Sequence, residues 1–248
     1  MLPAYTLPCS SRCLNLLRAE CSQLFDDYAP DFEDQLCKGL KYSTPQELER
    51  VLLARPGRLD ADVAQGMLSR SEAIDFGCGT GLMGLLLRAR CAGTLIGCDL
   101  SRGMLDVAAS KHRGVYDLLA AAEAVSFLRK RPAASADLVV GADVCVYMRS
   151  LVDLMAAAED ALRVGGILCF STEACTLDEV EGGLPCNGWV ERASERIAHS
   201  AEYLRWLVAD RGEGVLSSRM QILSLESSNI RNDGKKVIRG HLVVMEKV

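Results

Sequence analysis

The sequence predicts an α/β chain: a doubly wound, mostly parallel seven-stranded sheet that closes with a C-terminal antiparallel hairpin. Three observations carry this. From residue 73 onward, short apolar runs alternate with helical ones, the pattern that buries a parallel sheet between two layers of helices. The first run leads into a glycine-rich turn and then a helix. The last two runs flank Asn232-Asp233-Gly234, and Asp-Gly between strand-like runs signals a hairpin.

The elements follow in order. Leu14, Leu17, Cys21, Leu24 and Phe25 recur at helical spacing, as do Leu48, Val51 and Leu52, with Pro30 and Pro45 expected to break these runs. A loop surrounds Pro56-Gly57. The expected strands are Ala73–Phe76, Thr94–Cys98, Val115–Leu119, Asp137–Ala142 and Ile167–Ser171. Between and after them come helices at Leu82–Arg90, Ser101–Lys111, Ala121–Lys130 and Leu151–Leu162, the last ending near Gly165-Gly166. Ser101 has the chemistry of an N-cap. A polar loop covers 176–190, a helix follows at Ala201–Asp210, and the closing strands are Met220–Leu225 and Val237–Met245. The chain thus divides into a flexible tail at 1–20, a helical segment at 21–60 and the sheet domain at 61–248.

Length and composition fit one such domain. The 248 residues exceed the roughly 150 of an average domain only enough for an appendage. Apolar residues make up 49% and charged residues 25%, an ordinary globular balance. Lys plus Arg is 28 and Asp plus Glu is 33, giving 28 − 33 = −5, which argues against a binding face built on many phosphate contacts. Eleven cysteines are scattered without a C-x-x-C pair, and the three histidines lie near no cysteine cluster. No metal site is expected from that spacing. Without a basic start and an apolar run at the N-terminus, the thiols read as buried and reduced. No stretch approaches the 18 or so apolar residues of a membrane span. The expected location is cytoplasmic, with organellar targeting left open by the Ser- and Pro-containing first twenty residues.

The most informative segment is Asp75-Phe76-Gly77-Cys78-Gly79-Thr80-Gly81. Alternate glycines after a buried strand let the backbone pass close to a ligand, and the helix from Leu82 aims its first N–H groups at that ligand. Residues 79–84 also fit G-x-G-x-x-G, the dinucleotide pattern. A carboxylate at Asp75, however, suits a ligand with an ammonium group better than a pyrophosphate. Asp99, 99 − 81 = 18 residues past Gly81, ends the second strand where an acid can accept from ribose hydroxyls. That step fits either ligand.

Together these residues resemble the class I S-adenosylmethionine-dependent methyltransferases, whose first motif looks like Ala73–Gly81. Asp99-Leu100-Ser101-Arg102-Gly103-Met104-Leu105 is similar to that family's D-x-S-x-x-M-L. A nearer likeness is to a group of methyltransferases often fused behind tetratricopeptide repeats. It is carried by Phe25–Phe32, Ala122-Glu123-Ala124, Ala142-Asp143-Val144, Phe170–Glu173 and His199–Leu204, and it departs at 177–196. The resemblance implies a Rossmann-like methyltransferase fold with S-adenosyl-L-methionine as cofactor and S-adenosyl-L-homocysteine as product. It implies that Gly77, Cys78, Gly79 and Gly81 line the methionine and ribose portion, with Asp75 supporting the loop and the ammonium. Asp99 and Leu100 would take the ribose, and Met104, Ala122 and Glu123 the adenine. Asp143 would face the methyl end, with Tyr147 and His199 as further catalytic candidates and Tyr203 near the acceptor.

Phe25, Tyr28 and Phe32 fall on one helical face, and the resemblance makes segment 21–60 a lid, with Tyr28 against the cofactor. A sulfonium leaves readily, so alignment and exclusion of water matter more than a base. The expected activity is methyl transfer to a small-molecule acceptor by a monomer or homodimer, with no nucleic-acid or membrane partner. Three alternatives stay open: a protein methyltransferase, a nicotinamide-dependent oxidoreductase, and an inactive methyltransferase-like binding protein.

Overall fold

The computed structural model describes residues 23, 25–29, 32–33, 42–54, 72–183, 185–209, 219–233 and 236–248. The tail at 1–20, the helical pattern through Leu24 and the loop around Pro56-Gly57 lie outside them. Among the described residues nine strands form one sheet: β1 (Glu72–Phe76), β2 (Thr94–Asp99), β3 (Leu118–Ala121), β4 (Ala136–Gly141), β5 (Leu162–Cys175), β6 (Trp189–Glu191), β7 (Ile197–Ser200), β8 (Met220–Asp233) and β9 (Lys236–Lys247). The helices are α1 (Thr44–Ala54), α2 (Leu82–Arg88), α3 (Arg102–Lys111), α4 (Ala124–Leu128), α5 (Val152–Ala161) and α6 (Ala201–Leu207).

The first five strands run in parallel in the order β3-β2-β1-β4-β5. β9 adds antiparallel to β5 from Ile167 to Glu173, and β8 pairs antiparallel with β9. These seven strands are the expected doubly wound sheet with its C-terminal hairpin. The hairpin arms are longer than their apolar runs suggested, because register continues to Asp233↔Lys236. The remaining two strands are an addition. Where β5 outruns β9, β7 pairs in parallel with Glu173 to Cys175, and β6 pairs antiparallel with β7. The polar stretch expected as a loop at 176–190 is in fact a run of short 3-10 turns that ends in β6.

Two apolar layers hold the sheet. One face packs Phe76, Val139, Leu168 and Phe170 against α4, α5 and α6 through Leu128, Leu154, Leu204 and Leu207. The other packs Ala73, Leu95, Leu138 and Val244 against α1 and α2 through Leu48, Val51, Leu52 and Leu87. Pro45 does not break α1. It sits in the first turn, where a missing N–H costs nothing, and Thr44 Oγ1 anchors that end by donating to Ile230 O at 3.1 Å. β3 starts at Leu118 rather than Val115, because pairing with β2 begins at Ile96↔Leu118. The apolar residues ahead of it serve another purpose, given below. Six of the described cysteines are buried and free, and Cys186 is partly exposed. Among the described residues no helix is long and apolar enough to cross a membrane, and no group of side chains could hold a metal ion.

Candidate active site

The glycine-rich loop leaves β1 in left-handed backbone, with φ of 64° at Gly77, 53° at Gly79 and 100° at Gly81. That conformation favours glycine. Cys78, itself buried, donates its N–H to Cys98 O at 3.0 Å, tying the loop to β2. The glycines differ in what surrounds them. A Cβ on Gly77 would lie 2.5 Å from Val144 Cγ2, so the turn after β4 presses directly on the loop. A Cβ on Gly79 would meet only the Phe32 ring, at 4.0 Å. The backbone at Gly79 therefore faces open space.

Beneath the loop lies a residue that the sequence reading missed. The Tyr116 ring fills the gaps left by Gly81, Gly84 and Gly97, where added Cβ atoms would come within 3.2, 2.2 and 3.0 Å of it. Its hydroxyl donates to Asp75 Oδ2 at 2.5 Å. Asp75 has no exposed surface, and its Oδ1 is buried without a partner. It holds Tyr116 under the loop and presents no surface to a ligand's ammonium. Burial pushes the carboxyl up to about 7, against the Tyr116 hydrogen bond, with the Asp99 charge adding to the rise. The unfolded chain releases this proton near pH 4 and the folded chain keeps it to about pH 7, so stability is lost as pH rises across that window. Asp75→Asn removes the effect. Its stability advantage over the parent, read from urea midpoints, should widen by about 4 kcal/mol between pH 4 and 7.5. A gap that stays constant with pH refutes a protonated Asp75.

Asp99 ends β2 beside the loop. Its Oδ2 accepts from Gly79 N–H at 2.9 Å and its Oδ1 from Ser101 N–H at 2.9 Å. Burial raises its pKa, these backbone bonds lower it, and the net shift is upward. Ser101 caps α3 by accepting from Met104 N–H at 3.0 Å, and Met104 is buried. Leu100 is partly exposed between them. Ala122 N–H donates to Asp99 O at 2.9 Å, which places it beside the acid. Glu123 is occupied otherwise. Its oxygens accept from Val125 N–H, Ser126 N–H and Ser126 Oγ at 2.7 to 2.9 Å, capping α4. A cap committed to two N–H groups is a weak candidate for an adenine contact.

The N-terminal segment reaches this site. Asp26 Oδ1 accepts from Ser101 Oγ at 2.5 Å and Gly103 N–H at 2.8 Å, at the start of α3. Glu33 pairs with Lys111 and with His112 Nε2, the latter at 2.9 Å, at the other end of α3. Burial raises the Glu33 carboxyl, but the bonds from Lys111 and His112 outweigh it and leave it below the ordinary carboxylate range. Between these two attachments Tyr28 is half-buried, and Phe32 stands opposite Gly79. Phe25 meets the Tyr147 ring edge-on at 5.6 Å.

The far end of the site is charged. Asp143 follows β4 with φ 58°, a left-handed conformation that aspartate tolerates better than most non-glycine residues. Ser171 Oγ accepts its N–H at 2.8 Å. Arg231 Nη1 donates to its Oδ1 at 3.0 Å and Oδ2 at 3.2 Å, and Arg196 Nη1 to Oδ2 at 3.3 Å. Arg231 Nη2 also binds Glu173 Oε1. Asp143 is thus a salt-bridged carboxylate. Arg196 lies over the Tyr147 ring, 5.7 Å from its centroid. His199 is sealed, with Nδ1 2.6 Å from Thr172 Oγ1 and Nε2 3.2 Å from Arg149 O. Burial holds its pKa down to about 4. It stacks on Tyr203, whose hydroxyl accepts from Leu151 N–H at 2.7 Å. With both ring nitrogens engaged and no surface exposed, His199 offers no free lone pair for a proton.

The structure therefore brings Gly77, Cys78, Gly79, Gly81, Asp99, Leu100, Met104 and Ala122 together where β1 and β2 end, with Phe32 opposite Gly79 and Asp143 and Tyr147 on the turn after β4 whose Val144 presses on Gly77. Asp26, Glu33, Tyr116, Arg196 and Arg231 are the additions. Only Tyr116, inside an apolar run, left a local trace in the sequence.

This sheet, with a glycine loop after the first strand and an acid ending the second, is the α/β methyltransferase fold. Residues 74–170 match the model of a methyltransferase domain family. The geranyl diphosphate C-methyltransferase from Streptomyces coelicolor A3(2), solved with Mg2+, geranyl diphosphate and S-adenosyl-L-homocysteine, is 17% identical. The alignment covers 82% of this chain and 79% of that one, with a TM-score of 0.56. A SAM-dependent methyltransferase from Methanosarcina mazei is 17% identical over 77% of this chain and 99% of its own, with a TM-score of 0.55. An S-adenosylmethionine-dependent methyltransferase from Mesorhizobium loti is 19% identical over 72% of this chain and 92% of its own, with a TM-score of 0.51. At these identities the likeness is one of fold. No curated protein sequence matches the chain.

Proposed function

We propose that this protein is an S-adenosylmethionine-dependent methyltransferase that acts on a small-molecule acceptor. The observation that carries the reading is the open face of Gly79, set beside Asp99 and closed over by Phe32. A side chain at 79 would occupy the very space that a ligand's approach to the backbone needs. The cofactor, when bound, supplies an electrophilic methyl on a sulfonium that departs as a neutral thioether.

The protein's part is to bind, align and dehydrate. Backbone at Gly77, Gly79 and Gly81 cradles the methionine portion. Asp99, already oriented by two backbone N–H groups, keeps lone pairs for ribose hydroxyls. Met104 and Ala122 flank the adenine side. Phe32 and Tyr28 cover the cleft and exclude water. Tyr147 and the charged cluster behind it border the place from which an acceptor would approach.

Asp99→Ala tests this directly. Removing a charge-assisted acceptor should weaken S-adenosylmethionine binding by about 1.5–3 kcal/mol, or roughly 10- to 150-fold. Melting temperature should change little, since a strand-end carboxylate carries little packing. Calorimetry with S-adenosylmethionine and with a nicotinamide dinucleotide separates the two cofactor readings. Binding of the dinucleotide alone, or unchanged S-adenosylmethionine affinity in a folded Asp99→Ala variant, would count against the proposal.

A further inference from the structure

The two buried arginines at the methyl end, each with a side chain 6% exposed, are engaged very differently. Arg231 donates to both oxygens of Asp143 and to Glu173. The Arg196 side chain makes one hydrogen bond, the 3.3 Å contact from Nη1 to Asp143, and that nitrogen lies 4.0 Å from Glu173 Oε1. A guanidinium carries five N–H donors in a planar fork. The Nε and Nη2 donors of Arg196 have no hydrogen-bond partner among the described residues. Neither nitrogen is among the sealed side-chain atoms left without a partner, so both keep contact with solvent, where a ligand can complete the fork.

The position of Arg196 says which ligand. It lies over Tyr147, Tyr147 meets Phe25, and Val144 presses on Gly77. Arg196 therefore borders the space between the glycine loop, the turn after β4 and the N-terminal segment. Among the described residues, the carboxylates and the imidazole nearest Arg196 are engaged with other groups. Asp143 is held by two guanidiniums and Glu173 by Arg231, His199 has both nitrogens engaged, and the Tyr203 hydroxyl is bonded to Leu151 N–H. An acceptor suited to this pocket needs no base and carries an anionic group that fits a guanidinium edge.

We propose that the acceptor is a carboxylic acid, bound as its carboxylate by Arg196 and methylated on oxygen. The inference rests on the methyltransferase reading and narrows it to a substrate class. An alkyl or aryl carboxylic acid is ionised at neutral pH. One carboxylate oxygen bonds to Arg196 and the other forms the new bond to the methyl carbon. As it does so the carbon–sulfur bond breaks and its electron pair stays on sulfur. The sulfonium charge and the carboxylate charge cancel, a methyl ester forms, and no proton is transferred. A charge-assisted bond from the fixed guanidinium charge gives such an edge its selectivity for carboxylates over neutral amides.

The test uses the full chain saturated with S-adenosylhomocysteine, with sodium benzoate and benzamide as probes and calorimetry as the readout. Benzoate should bind saturably and benzamide at least about tenfold more weakly. Arg196→Gln should lower benzoate affinity by about tenfold while S-adenosylhomocysteine affinity stays within about twofold, and Arg196→Lys should recover part of the loss. Equal binding of the two probes, binding of neither, or unchanged benzoate binding in Arg196→Gln overturns the proposal. If Arg196→Gln fails to fold, which its melting curve would show, the comparison of probes on the parent protein still decides. The titration with S-adenosylhomocysteine alone reports separately on the cofactor reading, whose failure would overturn both.

Discussion

Gly79→Val should abolish S-adenosylmethionine binding, with a loss of more than about 100-fold, in a protein that still folds. The residue sits at φ 53°, in a loop whose outer face is open to the cleft. A β-branched side chain resists left-handed backbone at a cost of about 1–3 kcal/mol. That strain falls on a surface turn, not on the two apolar layers that hold the sheet. The larger effect is steric. With Phe32 only 4.0 Å from a Cβ at this position, the γ-methyls of valine would fill the gap between loop and ring. Cofactor and cover would be displaced together. Gly79→Ala, which adds only the Cβ, should retain weakened binding. Calorimetry on both variants, with far-ultraviolet circular dichroism to confirm folding, checks the result. Normal affinity in Gly79→Val would mean that the cofactor lies elsewhere.

Tyr28→Ala combined with Phe32→Ala should separate binding from catalysis. The segment carrying these rings is attached at both ends of α3, through Asp26 at Ser101 and Gly103 and through Glu33 at Lys111 and His112. Its attachments do not depend on the aromatics, so the segment should stay in place when they are removed. What is lost is the cover above Gly79. Water would then reach the sulfonium and the acceptor would be less well aligned, effects that cost about 100-fold in rate for small displacements. Cofactor affinity should fall by less than about tenfold, because the loop and Asp99 remain. In the parent protein, proteolysis within 22–45 should slow when S-adenosylmethionine or S-adenosylhomocysteine is added. Cleavage that ignores ligand, together with undiminished turnover in the double variant, would make the segment a structural appendage.

How far the sequence reaches depends on the distance over which a residue acts. Where it acts on its neighbours in the chain, its role was readable. Alternating apolar runs placed β1, β2 and β4 within a residue or two, because a strand buried on both faces must be continuously apolar. Alternate glycines marked a loop that approaches a ligand, and the structure shows them in left-handed backbone. Ser101 was readable as a cap because capping is an interaction with the residues that follow. Glu123 shows the limit of this kind of reading. A carboxylate at a helix start serves a cap or a ligand equally well on paper, and only its bonds to Val125 and Ser126 reveal the cap.

What the sequence by itself determined was the order of strands and helices, the glycine loop and the acid at Asp99. These follow from local periodicity and backbone preference. The tertiary structure decided everything that rests on meetings between distant residues. Tyr116 looked like part of a strand until its ring was found under glycines 81, 84 and 97. Asp75 looked like a ligand contact until burial and its bond to Tyr116 sealed it. His199 looked like a base until Thr172 and Arg149 took both its nitrogens. Arg196 and Arg231 lie 53 and 88 residues from Asp143 along the chain. Nothing in local propensity encodes such a meeting, because a buried ion cluster is specified by the register of β5, β7, β8 and β9 and by the need to pair every charge taken from water.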